Sequence, residues 1–215
     1  ASISMAYSGT QSGSITGCSG LTSWSCTWNT ATLADGAYTL TLTITDASGN
    51  TNTVTRLVSV DNNPPVQGAV DFLPSAGAQY QYTTGSTLYY NPAQSGSFTV
   101  RTSAVDSGSG ISCVHFVPGG MPAGWTTTPS NGIDTTGPNP YTIDYAWTAS
   151  PTAPADPLEV RSFDTASLCD HPTTYGSTSF HILPDSTPPT GTSIDYATTI
   201  ITGANVTVTG FAAGS

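Results

Sequence analysis

The stretch that decides the fold runs from Asp35 to Val66 and reads DGAYTLTLTITDASGNTNTVTRLVSVDNNPPV. Apolar residues alternate with Thr through its first half, as in a strand with one buried face and one solvent face. A turn at DASGN follows, and Val54, Val58 and Val60 continue the buried face on a returning strand. These are the last two strands of a β-sandwich, but only 34 residues precede them. The sequence therefore predicts that the rest of this domain lies elsewhere. The alternating apolar residues of the first strand are Tyr38, Leu40, Leu42 and Ile44.

The composition predicts an all-β protein. The chain of 215 residues is rich in Thr, Val, Ile and Tyr, which favour strands, and Gly, Pro, Ser and Asn interrupt them at short intervals. Only 7% of the residues are charged, Lys is absent, and the net charge is −10. Such a surface cannot neutralise a row of phosphates, so we expect no nucleic-acid partner. No apolar run is long enough to span a bilayer, so we expect no membrane insertion.

Four cysteines occur, and their spacing matches no zinc site with close Cys pairs. Cys18 and Cys26 flank a segment that fits a hairpin tip, and Cys113 and Cys169 fall in two strand-rich regions. We predict the disulfides 18–26 and 113–169, with four free buried thiols as the alternative. Disulfides would place the protein outside the cytoplasm, at the cell surface or in the extracellular space.

Two similar linkers divide the chain. VDNNPPV at 60–66 and PDSTPPT at 184–190 each carry an Asp followed by a Pro pair, which stiffens the chain and interrupts a strand ladder. The regions upstream of the linkers also correspond. Trp28 matches Trp147, and Asp46 and Asp164 both end the following strand. The sequence therefore predicts two related units.

The regions downstream of the linkers show where the missing strands are. VTVTGFAAGS at 206–215 is similar to FTVRTSAVDSGSG at 98–110, and ASISMAYSG at 1–9 is similar to ISCVHFVPG at 111–119. We therefore predict that residues 185–215 supply the first strands of a sandwich and that residues 1–60 supply its remaining strands. Residues 61–184 then form a complete sandwich with an inserted Tyr-rich hairpin.

The motif DGAYTLTLTITDASGNTNTVTRLVSVDNNPP resembles the bacterial immunoglobulin-like repeats of giant surface proteins and adhesin stalks. The resemblance is strong over 1–66 and 185–215 and weaker over 67–184. It implies tandem immunoglobulin-like β-sandwiches, one of them split between the two ends of the chain. It also implies extracellular placement, head-to-tail arrays and no catalysis. Tyr38 would take the position of the tyrosine corner.

Three arrangements could complete the split sandwich. The chain could fold back on itself, which we rank last, or one copy could donate its 185–215 segment to the next copy. The 215 residues could also be one period of a longer polypeptide, which we favour. The second and third arrangements give a linear fibre or adhesin stalk whose partners are further copies of the chain. The alternative function is a carbohydrate-binding accessory module of a secreted polysaccharide-degrading enzyme.

Acidic residues at strand ends and linkers are candidate calcium ligands, since loops with carboxylate oxygens suit Ca²⁺. The alternative is that they are ordinary turn residues, because Asp favours turns. No other cofactor is expected. The candidates are Asp46, Asp61, Asp106, Asp164 and Asp185.

Aromatic residues cluster in the predicted hairpin, where they could stack on surface glycans, dock a neighbour, or pack internally. These are Tyr80, Tyr82, Tyr89 and Tyr90. Catalysis would need His115 or His171 in a triad, or a carboxylate pair drawn from Asp144, Asp156 and Glu159. No nucleophile-elbow motif is present. The sequence therefore predicts that the protein is not an enzyme.

Overall fold

A computed structural model describes residues 1–20, 23–116, 120–167, 169 and 174–188. The first 60 residues form one antiparallel sheet of four strands, in the order β2-β1-β3-β4. We call it the first sheet. Its strands are β1 (Ser2–Gly9), β2 (Gly13–Ile15), β3 (Gly36–Thr45) and β4 (Thr51–Val60).

The register of the first sheet explains the alternation in its sequence. Met5 on β1 pairs with Leu42 on β3, and Leu42 in turn pairs with Val54 on β4. Residues at matching positions point to the same side of a pleated sheet, so these side chains share one apolar face. The Thr residues between them occupy the opposite face.

The turn between β3 and β4 is fixed by Asp46. Its Oδ1 accepts hydrogen bonds from the backbone N–H groups of Ser48 and Asn50, both at 2.8 Å. Gly49 has φ +88°, a left-handed conformation that glycine adopts without strain. The DASGN segment is therefore a tight turn, as the sequence predicts.

The strands from residue 66 onward make a second unit. They are β5 (Val66–Pro74), β6 (Gln81–Thr84), β7 (Thr87–Tyr90), β8 (Gly96–Val105), β9 (Ile111–Phe116), β10 (Trp125–Thr128), β11 (Ile133–Asp134), β12 (Tyr141–Trp147), β13 (Leu158–Asp164) and β14 (Gly176–Pro184). A 3-10 turn at Ala78–Tyr80 precedes β6.

These ten strands form two sheets. One has the order β10-β12-β8-β5, and the other has the order β11-β9-β13-β14-β7-β6. In the six-stranded sheet, four neighbouring strands have the order β11-β9-β13-β14. This order matches the order β2-β1-β3-β4 of the first sheet. The β6–β7 hairpin extends the six-stranded sheet through a parallel pairing of β7 with β14.

A single hydrophobic core lies between the two sheets of the second unit, and strands of both sheets contribute to it. Phe98 on β8 stacks on Tyr145 of β12 with ring centroids 5.3 Å apart. From the other sheet, Phe180 of β14 contacts Phe72 of β5 at 6.1 Å. The alternating burial of β8 and β12 matches strands with one core-facing side.

Both predicted disulfides are confirmed. Cys18 is bonded to Cys26, and Cys113 on β9 is bonded to Cys169. The all-β prediction is also confirmed, since the described residues contain strands and one 3-10 turn but no α-helix. Within those residues, no helix has the length and hydrophobicity to cross a bilayer.

Candidate functional site

The apolar face of the first sheet is a candidate functional surface. Three apolar side chains of β1 face those of β3, because Ile3 pairs with Ile44, Met5 with Leu42 and Tyr7 with Leu40. Val54 and Val58 extend the same face onto β4, opposite Leu42 and Tyr38. A face of this size normally lies against a second layer. Asn52 and Arg56 of β4 lie on the same side of the sheet, opposite Ile44 and Leu40. The apolar members of the face are Ile3, Met5, Tyr7, Ile15, Tyr38, Leu40, Leu42, Ile44, Val54, Val58 and Val60.

Among the described residues, contacts of Trp28 cover one end of this face. Trp28, from the segment between β2 and β3, packs on Tyr7 and Tyr38 with centroid distances of 5.1 and 5.7 Å. Tyr38 is fully buried, and its hydroxyl donates a 2.8 Å hydrogen bond to the carbonyl oxygen of Ala34. This bond from a strand tyrosine to a carbonyl four residues upstream is the tyrosine-corner geometry.

The other end of the face is open. Ile44 is 38% exposed and Val54 is 58% exposed. All residues of β4 from 51 to 57 are exposed, so its outer edge is open as well. The part of the chain that could close this face, from residue 189 onward, lies outside the described residues. Within the described residues, this end of the face has no second layer and the outer edge of β4 has no partner strand.

The first sheet and the segment between β2 and β3 make up the first unit. Asp35 ties the linker after β4 to this unit. Its Oδ1 accepts a 2.7 Å hydrogen bond from the backbone N–H of Asn62, and its Oδ2 accepts a 2.6 Å bond from the side-chain amide of Asn63. Asn62 also donates to the carbonyl oxygens of Thr30 and Leu33. These bonds fix the direction in which the chain leaves the first unit. No signal in the sequence singled out Asp35, although an Asp recurs before the matching strand as Asp156.

The preceding residue of the same linker, Asp61, reaches into the second unit. Asp61 Oδ2 accepts a 2.9 Å hydrogen bond from the backbone N–H of Ser109, in the loop between β8 and β9. Gly108 lies against the same carboxylate, so closely that a Cβ at this position would be 2.4 Å from Asp61 Oδ1. Only glycine permits this approach. Asp61 therefore connects the first sheet to the second unit.

Three of the five candidate calcium ligands meet at this joint. Asp61, Asp106 and Asp164 each offer a carboxylate oxygen, and these oxygens lie within 4.8 Å of one another. Asp106 follows β8, and Asp164 ends β13. We call these three residues the joint carboxylates. The other two candidates are not part of the group that the described residues form.

Asp46 and Asp185 instead hold local backbone. Asp46 accepts hydrogen bonds from the side chain and backbone of Asn50, which with its other turn contacts hold the pKa of this exposed carboxyl below its usual value. Asp185 Oδ1 accepts a 3.0 Å bond from the backbone N–H of Thr187. Both are turn residues of the kind that the alternative interpretation describes.

The Tyr-rich hairpin divides its aromatic residues between surface and core. Tyr82 is 66% exposed, and its ring lies 6.3 Å from that of Tyr89 at an interplanar angle of 30°. Tyr80 is also exposed. Tyr90, by contrast, is 1% exposed and packs against Trp125 and Trp147, so it belongs to the core and not to an exposed platform.

The candidate catalytic residues take separate partners. Asp144 Oδ1 accepts a hydrogen bond from the hydroxyl of Thr99, and Asp156 lies 2.5 Å from Nδ1 of His181. Glu159 pairs with Arg161 at 2.6 Å. His115 is buried on β9. His171 lies outside the described residues.

Comparison with known families agrees with this architecture. Residues 2–62 match the family model described as a bacterial Ig-like domain. This part of the chain is a bacterial Ig-like domain. Comparison with curated proteins gives no match. A bacterial Ig-like domain with two disulfides in the same chain indicates a structural module of a secreted or surface protein.

The matched bacterial Ig-like domain is the region that contains the open face. It begins with β1 and ends at Asn62, in the linker tied by Asp35. Strand alternation and the DASGN turn identified this region from the sequence. The order of its strands, with β1 between β2 and β3, required the structure.

Proposed function

We propose that the chain is a non-catalytic structural repeat of an extracellular fibre or adhesin stalk. In this proposal, copies join head to tail by completing a shared immunoglobulin-like sandwich, and residues 185–215 of one copy cover the first sheet of the next. The observation that carries the proposal is a difference between two matching sheets. In the described residues the apolar face of the first sheet is open, whereas the corresponding strands of the second unit pack against a facing sheet.

The second unit indicates what covers such a face. There, the sheet that contains β9, β13 and β14 packs on a sheet that contains β5 and β8. In sequence, β5 and β8 follow the first linker, and their counterparts after the second linker fall within residues 185–215. The segment similar to β8 and the segment similar to β9 are separated between the two ends of the chain. A copy placed end to end with another would reunite them.

Two forms of this junction remain alternatives. In the first, which we favour, Ser215 is peptide-bonded to Ala1 of a following repeat in one long polypeptide. In the second, the segment is donated non-covalently, as in fibres that assemble by strand addition. Both forms bury the same face of the first sheet. Both also avoid the exposure of a half-sandwich, which buries too little surface to be stable alone.

A two-copy tandem fusion tests the junction. Residues 189–215 of the first copy are replaced by a Gly/Ser segment of equal length. We expect the amides of β1, β3 and β4 in the second copy to lose protection from hydrogen exchange. The matched control makes the same replacement in the second copy, where no sheet follows, and should leave that protection unchanged. Equal protection in both fusions would refute the junction.

The fusion and a free peptide together distinguish the two forms of the junction. A peptide of residues 185–215, added to the single 215-residue chain, should protect β1, β3 and β4 if non-covalent donation operates. Protection in the fusion without protection by the free peptide would favour the continuous polypeptide. The first sheet would then close only when the junction is intramolecular and its effective concentration is high.

A carbohydrate-binding accessory module is the second candidate function, and the exposed Tyr82 beside the half-buried Tyr89 favours it. Aromatic faces at the surface stack on sugar rings. The test is a glycan array probed with the chain and with Tyr82→Ala. Binding that disappears in Tyr82→Ala but persists in Tyr175→Ala, a tyrosine outside the hairpin, would support this candidate. Absence of glycan binding by the unmodified chain would exclude it.

A further inference from the structure

We propose that two copies of the chain associate side by side by pairing the exposed edges of their β4 strands. The two strands run antiparallel about a twofold axis at Val54, so the two first sheets, of four strands each, become one continuous sheet. The further step, that such pairs join neighbouring fibres laterally, rests on the proposed head-to-tail function.

The β4 strand is a long and regular sheet edge. All ten of its residues pair with β3 without a register shift, and those from Thr51 to Leu57 are exposed. This exposed part, TNTVTRL, contains no Pro, no Gly and no acidic residue. An edge strand presents a row of unpaired backbone N–H and C=O groups, which is a template for a further strand. The regular geometry leaves this template undistorted.

The other edge strands of the described sheets are short or irregular. Four of them, β2, β6, β10 and β11, have between two and four residues each. The nine-residue strand β5 has a register shift between Gln67 and Val70 and ends at Pro74. Short edges, bulges and Pro all protect a sheet against unwanted pairing. Among the described strands, therefore, only the β4 of another copy offers β4 a regular edge of equal length.

The sequence of β4 is complementary to itself in one register. When Val54 lies opposite Val54 of the second copy, Thr53 lies opposite Thr55 and Asn52 lies opposite Arg56. Thr–Thr pairs are favourable across strands, and no like charges face each other. A twofold axis at Thr53 or Thr55 would instead place Val54 opposite Asn52 or Arg56. The axis at Val54 also keeps the apolar faces of both sheets on one side, since side chains alternate along a strand.

Charge favours β4 as the place where two copies meet. The chain has a net charge of −10, so two copies repel each other at most orientations. Thr51–Val60 contains no Asp or Glu, and its single charge is that of Arg56. Pairing through this edge therefore avoids direct contact between acidic residues.

The proposed head-to-tail junction leaves this edge available. In the second unit, β7 pairs only with His181–Pro184, the last four residues of β14. Counted back from the matching linker residues Asp185 and Asp61, these positions correspond to Leu57–Val60. A strand in the place of β7 would cover that end of β4 and leave Thr51–Arg56 open. The junction thus uses the face of the first sheet, whereas the lateral pair uses its edge.

Sedimentation equilibrium of the 215-residue chain tests the association. We expect monomers and dimers without larger species, because a twofold contact closes on itself. Asn52→Glu should tighten the dimer and Asn52→Arg should weaken it, each by about two- to thirtyfold, since every dimer contains two cross-strand pairs with Arg56. Thr126→Glu and Thr126→Arg, on the short edge strand β10, are the matched controls. They change the net charge equally and should leave the dissociation constant nearly unchanged.

Cysteine cross-linking tests the register. Opposite residues of antiparallel strands have Cα atoms about 4.5–5.5 Å apart, a distance that a disulfide spans. A mixture of Thr53→Cys and Thr55→Cys chains should therefore form a disulfide-linked dimer. The control mixes Thr55→Cys with Leu57→Cys, whose Cα atoms would lie about 14 Å apart. Leu57 is 70% exposed, so random collision would not favour the expected pair.

The cross-link also distinguishes the edge from the open apolar face. Thr53 and Thr55 lie on the Thr-bearing side of the first sheet, so two copies that associate through their apolar faces would keep these residues apart. Equal cross-linking in both mixtures would refute the register. Species larger than the dimer would indicate a heterologous contact, such as β4 with another edge, and would refute the twofold pair. A chain that stays monomeric up to about 1 mM would refute the association altogether.

The two-copy fusion separates this inference from the proposed function. If the single chain does not dimerise while the Gly/Ser replacement still removes protection from the fusion, the shared sandwich stands and the lateral pair falls. If the single chain dimerises in the expected register and the replacement has no effect, the lateral pair stands and the proposed function falls.

Discussion

The first sheet and the matching four strands of the second unit differ in what lies against them. Both have the order of a short strand, a central pair and an outer strand: β2-β1-β3-β4 and β11-β9-β13-β14. In the second unit, Phe180 on the outer strand β14 is fully buried. In the first sheet, Val54 on the outer strand β4 is 58% exposed. Within the described residues, the same arrangement of strands therefore exists once with a facing sheet and once without one.

This difference shows that strand pairing and sheet stacking depend on different parts of the chain. Pairing within the first sheet uses neighbours along the sequence, with β3 and β4 joined by a tight turn. Stacking needs strands that the first 60 residues do not contain. The strand edges differ as well, because β7 pairs with β14 whereas the outer edge of β4 is exposed. An open edge and an open face on one strand both favour association.

Replacing a buried side chain of one sheet and an exposed side chain of the other by Ala should give the largest difference in stability loss. Phe180→Ala leaves a cavity in a closed core and should lower the free energy of unfolding of the second unit by about 3–5 kcal/mol. Val54→Ala in the single chain should lower that of the first unit by less than about 0.5 kcal/mol, since the side chain is mainly in water. Hydrogen exchange resolved by segment measures each unit separately.

The two-copy fusion sharpens this comparison. If the junction closes the first sheet, Val54→Ala in the second copy should cost more than about 1 kcal/mol, because the side chain would then be buried. Leu57→Ala is the matched control, since Leu57 lies opposite Thr39 on the Thr-bearing face of the sheet and is 70% exposed. Equal effects of the two substitutions in the fusion would contradict the closure.

The two disulfides should contribute different amounts to the stability of their units. Cys113–Cys169 closes a loop of 56 residues, and Cys18–Cys26 closes one of 8. Loop-closure entropy predicts a loss of about 4 kcal/mol for the first bond and about 2–3 kcal/mol for the second. The paired Cys→Ala variants, melted under oxidising conditions, measure each loss. A larger loss for the short loop would show that native-state strain or residual structure outweighs chain entropy.

The sequence predicted the first sheet well and its surroundings poorly, for a physical reason. Period-2 alternation and Asp46 with Gly49 are local signals, so they locate β3, β4 and the turn between them. The joint carboxylates come from positions 61, 106 and 164, which only the tertiary fold brings together. The sequence offered five equivalent acidic candidates, and no local signal separated the three that meet from the two that do not.

The sequence also did not show which aromatic residues of the hairpin are buried. Tyr89 and Tyr90 are adjacent in a strand and therefore point to opposite sides of the sheet. Alternation alone does not say which side faces the core when both residues are tyrosine. The packing of Tyr90 against Trp125 and Trp147 decides it.

Acid should weaken the second unit through Asp134. Burial acts to raise the pKa of this carboxyl, but hydrogen bonds from Thr136 and Thr142 outweigh it and leave the pKa below 3.8. The resulting stabilisation is complete above pH 3.8 and is lost as the pH falls through the lower, folded value. Asp134→Asn should lower the free energy of unfolding by about 1–3 kcal/mol near pH 7.

Urea unfolding midpoints between pH 6 and pH 2.5 measure this effect. The unmodified chain should lose stability as the pH falls below 3.8, and Asp134→Asn should show a shallower loss over the same range. Asp71→Asn is the control, since Asp71 pairs with Arg101 at the surface of the same unit. A steep acid loss that persists in Asp134→Asn would assign the effect to other carboxyls.

The smallest expected effects compare one buried tyrosine in each unit. Tyr38→Phe removes the hydroxyl that donates to Ala34 and should cost about 1 kcal/mol, because it leaves that carbonyl without its partner. Tyr145 is equally buried, but its hydroxyl has no partner within the described residues. Tyr145→Phe should therefore be neutral or stabilising, since removing an unsatisfied buried hydroxyl removes a desolvation cost. Denaturant unfolding of both variants decides the comparison, and a loss of more than about 1 kcal/mol in Tyr145→Phe would show that its hydroxyl has a water-mediated partner.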